Sequence, residues 1–391
     1  MLARADELAA ISEEDGRLTR GFATPALARA GDRVARWMED AGLTVRRDAV
    51  GNVMGRVGAG RPLVLGSHLD TVPDAGRYDG PLGVLAALAV AERVAVRGNG
   101  CSLEVVAFAD EEGTRYGTSY LGSSAYTGSF ESAWLDVVDE AGVTLRDAIR
   151  NAGGDPDMAV TAPVPELAGY VEVHIEQGPV LEREGLPVGV VTAIAGQTRA
   201  RIVLTGEAGH AGTLPMDARR DALAAAAEVV LSVERLGRAE AGLVATVGAL
   251  SLSPNVGNVV PGEARMLLDV RHADDRIRRR AASEIRDELE RIAAARSVDA
   301  AWTLRYDTAA VELDPRLRRR LADAVREQGL SLRELVSGAG HDAVVLSRIC
   351  PAAMLFVRCA GGISHDPRES VSEEDVAVAL DVLERVVRSF A

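Results

Sequence analysis

Between residues 50 and 195 the chain repeats one pattern, a short apolar run followed by a turn rich in glycine or aspartate. "VGNVMGRV" and "RPLVLGSHLD" have the length and composition of strands, and "GPLGVLAALAVAERVAV" is apolar over helical length. "SLEVVAFAD", "YVEVHIEQG" and "VGVVTAIAG" read as further strands, and residues 1–45 read as helices. Strand and helix in alternation predict an α/β sheet with helices on both faces.

After residue 195 the periodicity changes. "TRARIVLTG" alternates polar and apolar, and "MDARRDALAAAAEVVLSVERL" is a long helix. "LVATVGAL" and "GEARMLLDVRH" are strands, "DDRIRRRAASEIRDELERIAAA" a helix and "AAWTLRYD" a strand. The order βαββαβ describes a compact ferredoxin-like domain. Beyond about residue 310 the first pattern returns, with "DPRLRRRLADAVREQG", "AAMLFVRC" and a last helix from Ser370. The expected organisation is a discontinuous catalytic α/β domain, residues 1–195 plus 310–391, with a smaller domain, 196–309, inserted.

A length of 391 residues agrees with two cores. No apolar run approaches the roughly 18 residues that span a bilayer. The start, "MLARADELAAISEEDG", lacks a basic-then-apolar leader, so the cytoplasm is the expected location and no membrane partner is expected. A net charge of −14 argues against nucleic acid as a partner. All 44 basic residues are arginine, which removes P-loop phosphate binding, Schiff-base chemistry and any bridging carboxylated lysine. Cys101, Cys350 and Cys359 are widely spaced and read as reduced and buried.

Five of the six histidines fall in turns at predicted strand ends: "GSHLDTVPDAGRYDG", "HIEQGP", "AGHAGT", "AGHDA" and "GGISHDP". The sixth, His272, reads as a loop residue. "FADEEGTRYG" adds three consecutive carboxylates, Asp110, Glu111 and Glu112, behind an apolar run. Acids in a row repel unless they face water or share a cation. His68, Asp70, Asp79, Glu111, Glu112, His174 and His365 together offer imidazoles and carboxylates that suit Zn²⁺ or Mn²⁺, and a carboxylate can bridge two such ions. Spacing alone does not say which of Glu111 and Glu112 holds metal and which moves protons. Asp110 reads as a turn acid or a residue behind the ligands.

These segments, with "FADEEGTRYGTSYLGS", "AGHAGTLPMDARRDA", "NVVPG", "SGAGHDA" and "GGISHDPRE", resemble the dinuclear-metal amidohydrolases of the M20 peptidase superfamily, and within it the carbamoylase and allantoate amidohydrolase branch. The resemblance covers nearly the whole chain in order. It implies a metallopeptidase-like α/β/α catalytic domain and an inserted lid and dimerisation domain. Carried over position by position, it implies two divalent ions, Zn²⁺ or Mn²⁺. His68 and His174 would be terminal ligands of one metal and its neighbouring site, Asp79 the bridge, and Glu112 and His365 the completion of the second site. Glu111 becomes the general base, and Asp70 orients His68 from behind.

On the substrate side the resemblance implies that Gln177 and Gly340 contact the ureido end. Asn258 and Arg271 would bind the substrate carboxylate, and His210 would reach the reacting carbonyl oxygen from the neighbouring subunit of a homodimer. His341 is left without a role beyond shaping its loop. Peptidases of the superfamily usually carry a carboxylate where this chain has His174, so "HIEQGP" points to ureido substrates. The expected reaction is hydrolysis of allantoate with release of ammonia and carbon dioxide. The alternative is an N-carbamoyl-L-amino acid amidohydrolase; an aminoacylase, a peptidase or a non-catalytic metal-binding homologue stands behind both.

Overall fold

Four strands lie side by side and parallel in the order Leu103–Phe108, Leu63–His68, Gly169–Ile175, Ala352–Val357. Every residue of the four is buried, which is why they read as unbroken apolar runs: a parallel sheet is covered on both faces. Antiparallel strands extend this sheet, Val53–Val57 and then Thr44–Arg47 on one side and Val188–Ile194 on the other. The computed structural model describes residues 1–97 and 102–390. Cys101 therefore lies outside the described residues, while Cys350 and Cys359 are buried thiols.

The helices begin where the sequence supplies caps. Thr24, Asp314 and Ser372 each accept a backbone N–H in the first turn of helices Pro25–Asp40, Pro315–Glu327 and Glu373–Arg388. Pro25 and Pro315 open two of them, where a missing N–H costs nothing. Helix Pro81–Arg97 packs on the central strands, and its apolar character on all sides reflects that burial. Arg20 is fully buried and ties the N-terminal segment to this sheet. Its guanidinium donates to the carbonyls of Leu69, Leu8 and Ile11 at 2.7, 2.7 and 3.1 Å, and burial lowers its pKa to about 10.

The chain divides into two compact units, Met1–Thr192 with Leu313–Ala391, and Ala193–Glu312. The second unit is a four-stranded antiparallel sheet in the order Asp299–Thr308, Gly196–Thr205, Glu263–His272, Val244–Ser253, with helices Ala222–Ala239 and Asp275–Ala295. In Gly196–Thr205 the residues Ala200, Ile202 and Leu204 are buried while Arg199 and Arg201 are exposed, so one face carries the core and the other is open. That core joins the strands to Ala225, Val229 and Ile285 of the two helices. Among the described residues no helix is long and apolar enough to cross a membrane.

The strand Thr44–Arg47 corrects the reading of residues 1–45 as helix. It is a four-residue strand at the sheet edge, mostly exposed, and its "TVRR" sequence carries no apolar face for periodicity to register.

Candidate dimetal site

The four parallel strands end together, and their carboxyl ends carry the chemistry, as open α/β sheets tend to place it. His68 is the last residue of its strand, Asp110 to Glu112 follow Phe108, and His174 stands next to the end of its strand. His365 comes from the segment after Val357. Asp79 enters from the loop ahead of helix Pro81–Arg97. Gly80 permits that approach: its φ is +80°, and a Cβ there would lie 2.5 Å from the His68 ring.

Asp79 is the hub. Its Oδ1 lies 3.6 Å from His68 Nε2 and 3.2 Å from His174 Nε2. Its Oδ2 lies 3.2 Å from His365 Nε2, which is also 3.4 Å from Glu112 Oε1. The donor atoms thus sort into two triads that share one carboxylate, His68–Asp79–His174 and Asp79–Glu112–His365, each with its atoms within 4.8 Å of one another. Two further sets, His68 with Glu111 and Glu112, and Glu172 with His174 and His341, reuse His68 and His174 and add His341. His174 Nε2 is buried and makes no hydrogen bond, although Asp79 Oδ1 is close by. Nitrogen and oxygen donors facing one another without a hydrogen bond are what a shared cation satisfies, and this mixed donor set fits a pair of divalent ions.

Electrostatics follow from burial. Burial opposes charge on Asp79, but the imidazoles of His174, His365 and His68 overcome it and hold the carboxyl well below its usual range. Asp79 and Glu112 raise His365 to about 10. Glu111 goes the other way. Burial, partly offset by His68 and reinforced by Glu112, lifts its carboxyl well above the ordinary value. A raised carboxyl beside a donor set that fits divalent ions suits proton transfer.

Asp70 explains how three acids in a row are held. Its Oδ1 and Oδ2 accept the backbone N–H groups of Glu111 and Glu112 at 3.0 and 3.1 Å. The same Oδ1 stands 3.3 Å from His68 Nδ1. Asp70 therefore sets both: its carboxylate holds the strand end that carries Glu111, and its backbone carbonyl, 3.0 Å from Nδ1, pairs with the histidine. Asp110 turns inward instead: it accepts from Leu121 N at 3.2 Å, and burial raises its carboxyl well above the usual range.

Sequence reasoning missed a supporting layer. Glu369 is buried and accepts from the backbone of Tyr78 and Asp79 at 2.6 and 3.1 Å, fixing the loop that delivers Asp79; burial foremost raises it to about 7. Ser364 donates to Asp79 Oδ2 at 2.7 Å. Both lie in "GGISHDPRES", where only the histidine stood out. Gln177 also donates to Asp79 Oδ2, at 2.8 Å, and its Oε1 is buried and unpartnered. His341 is buried, bonded to Ser337 Oγ at 2.7 Å, and set edge-on against His174 with ring centres 4.5 Å apart. Burial keeps it well below its ordinary pKa, so it packs as a neutral ring. Gly340 lies against Glu111, its place for a Cβ 3.4 Å from Glu111 Oε1.

His210, Asn258 and Arg271 belong to the second unit. The short ladder of Gly209–His210 with Val259–Val260 brings His210 beside Asn258, whose carbonyl accepts from Ala211 N at 2.9 Å. Arg271 is held in plane by Asp269, with Nε to Oδ1 at 2.8 Å and Nη2 to Oδ2 at 2.9 Å. His272 closes its strand and bonds to Ala241 O and Asp274 N, a packed residue with both ring nitrogens engaged.

A family model described as peptidase family M20/M25/M40 matches residues 64–389. A probable allantoate deiminase of Oryza sativa subsp. japonica is 40% identical over 422 aligned residues, covering 96% of this chain and 85% of its own. An N-carbamoyl-L-amino acid amidohydrolase of Geobacillus stearothermophilus is 39% identical over 397, covering 99% and 97%. The crystal structure of a hydantoinase/carbamoylase family amidase from Burkholderia multivorans superposes with a TM-score of 0.93 at 35% identity, covering all of this chain and 97% of that one. The family match takes in every residue of the two triads, and by it the chain belongs to peptidase family M20/M25/M40.

Proposed function

We propose that this protein hydrolyses the ureido C–N bond of allantoate, giving ureidoglycine, ammonia and carbon dioxide. The observation that carries the reading is the pair of triads sharing Asp79 with Glu111 beside them. Similarity to an allantoate deiminase over nearly the full chain supports the substrate. The second reading is hydrolysis of N-carbamoyl-L-amino acids, favoured by a relative that spans both chains almost end to end. Both substrates present a ureido carbon and a carboxylate.

In this proposal His68, Asp79 and His174 would hold one divalent ion, and Asp79, Glu112 and His365 would hold the other, Zn²⁺ or Mn²⁺. Such ions supply Lewis-acid polarisation and lower the pKa of water toward about 7. Glu111 takes the proton of the attacking water and passes it to the departing nitrogen, so one carboxyl serves as base and then acid. Asp70 keeps Glu111 and His68 in register during the transfer. Gln177 orients the ureido end, Asn258 and Arg271 bind the carboxylate, and His210 donates to the oxygen that gains charge. The protein acts as a homodimer through its second unit.

The test is a substrate panel on protein reconstituted with Mn²⁺ or Zn²⁺: allantoate, N-carbamoyl-L-amino acids, N-carbamoyl-β-alanine and a dipeptide. Ammonia from allantoate at the highest kcat/KM supports the first reading. Preference for a carbamoyl amino acid replaces it with the second, and turnover of the dipeptide alone defeats both.

A further inference from the structure

Three of the seven non-glycine residues with left-handed φ among the described residues lie at the candidate site: Gln177, His365 and Tyr120. The first two already have work there. Tyr120 does not, yet a bulky residue at φ +68° is uncommon and persists only where its surroundings hold it. The holding is visible. Tyr120 N donates to Glu111 O at 3.1 Å, and the next two residues bond to Asp110, Leu121 N to its carboxylate and Gly122 N to its carbonyl. Tyr120 also sits at the N-cap of helix Leu121–Tyr126, a place usually given to a small polar residue, and its side chain makes no cap bond. The strained turn therefore serves to aim the phenol.

Its target is defined by Gly340. A Cβ built there would overlap the Tyr120 hydroxyl, would lie 3.2 Å from Tyr120 Cζ and 3.4 Å from Glu111 Oε1. Gly340 has no left-handed φ, so its backbone does not require glycine. The space beside it is reserved for the phenol, and phenol and Glu111 carboxylate face the same point.

We propose that Tyr120 is a specificity-determining residue whose hydroxyl hydrogen-bonds the terminal –NH₂ of the ureido group, selecting a carbamoyl substrate over its acetyl isostere. This rests on the reading of the site as a ureido hydrolase. A terminal –NH₂ and a –CH₃ have nearly the same size, so shape separates them poorly, whereas a polar group placed to bond the –NH₂ is left unsatisfied by the methyl. A phenol oxygen can accept that N–H even while its own O–H donates elsewhere.

The experiment compares allantoate with diacetamidoacetate, in which both terminal –NH₂ groups are methyls. Tyr120→Phe should lower kcat/KM on allantoate by about ten- to a hundredfold, with metal content and the circular dichroism spectrum unchanged. In the Glu111→Gln background, calorimetry should show Tyr120→Phe weakening allantoate by a similar factor and diacetamidoacetate by less than about twofold. Gly340→Ala should lower the same preference as far as Tyr120→Phe does, and the double variant should lower it no further. Equal weakening of both ligands, an unchanged preference, or additive losses in the double variant overturns the assignment. A wild type that hydrolyses no ureido acid defeats the proposed reaction instead, and the binding comparison still decides Tyr120.

Discussion

At the scale of single residues, the two neighbouring glutamates have different surroundings, and variants should separate them. Glu111 belongs to neither triad that shares Asp79, so Glu111→Gln deletes proton transfer and spares the Asp79-sharing ligand set. It is expected to keep two metal equivalents by elemental analysis while kcat falls by a factor of about 10² or more. Asp79→Ala removes the shared carboxylate and should lose metal; full two-metal occupancy in that variant would sink the dinuclear reading. Arg271 offers a second contrast. Asp269 fixes its guanidinium plane through two bonds, and lysine cannot present that planar pair, so Arg271→Lys should lose nearly as much kcat/KM as Arg271→Ala. Asp269→Asn, which loosens the plane and keeps the charge of Arg271, should raise KM more than it lowers kcat. Equal activity of the lysine variant and wild type would remove Arg271 from the substrate side.

At the scale of elements, legibility followed burial. The four parallel strands were readable because a strand covered on both faces is an unbroken apolar run, and the histidines and acids at their ends broke that run conspicuously. The second unit was readable because its two inner strands bury one face only and its helices are long. Thr44–Arg47 and the strand Glu334–Ser337 were not, since four residues with little apolar burial carry too short a pattern to register. Nor were Glu369, Ser364 and Tyr120, whose roles come from contacts across long sequence separations and, for Tyr120, from a backbone angle that composition does not announce. Arg20 belongs with them: one of several arginines near the N-terminus, it turns out to hold three buried carbonyls, two in the N-terminal segment and one just past a central strand. Arg20→Met would leave the carbonyls of Leu8, Ile11 and Leu69 without a donor. It should destabilise the protein by about 2–5 kcal/mol in urea unfolding. A loss under about 1 kcal/mol would mean that the segment repacks without it.

At the scale of the whole molecule, the second unit has two sheet edges, and they differ. Asp299–Thr308 leaves Leu304 and Tyr306 exposed by 55 and 42%, but it lies beside helix Asp275–Ala295, whose outward positions include the charged Arg279, Arg280, Arg286 and Glu290. Among the described residues Val244–Ser253 pairs only with Glu263–His272, and with helix Ala222–Ala239 it leaves Leu231, Val244 and Leu250 exposed by 64, 57 and 44%. An open edge with apolar side chains above it is a template for another strand, and proteins that leave such an edge unprotected usually cover it. A net charge of −14 opposes association between copies, so any self-association must draw on apolar area and strand pairing rather than charge. Two copies joined antiparallel at this edge would continue one sheet across a twofold axis and bury both sets of leucines. The wild type is therefore expected to run as a dimer by light scattering at micromolar concentration, with a mass that barely responds to salt. Leu231→Arg combined with Leu250→Glu should shift the mass to the monomer and leave the circular dichroism spectrum unchanged, because neither side chain belongs to the buried core of the unit. A doubly substituted protein that stays dimeric would move the interface to another face, and a monomeric wild type would remove the dimer altogether.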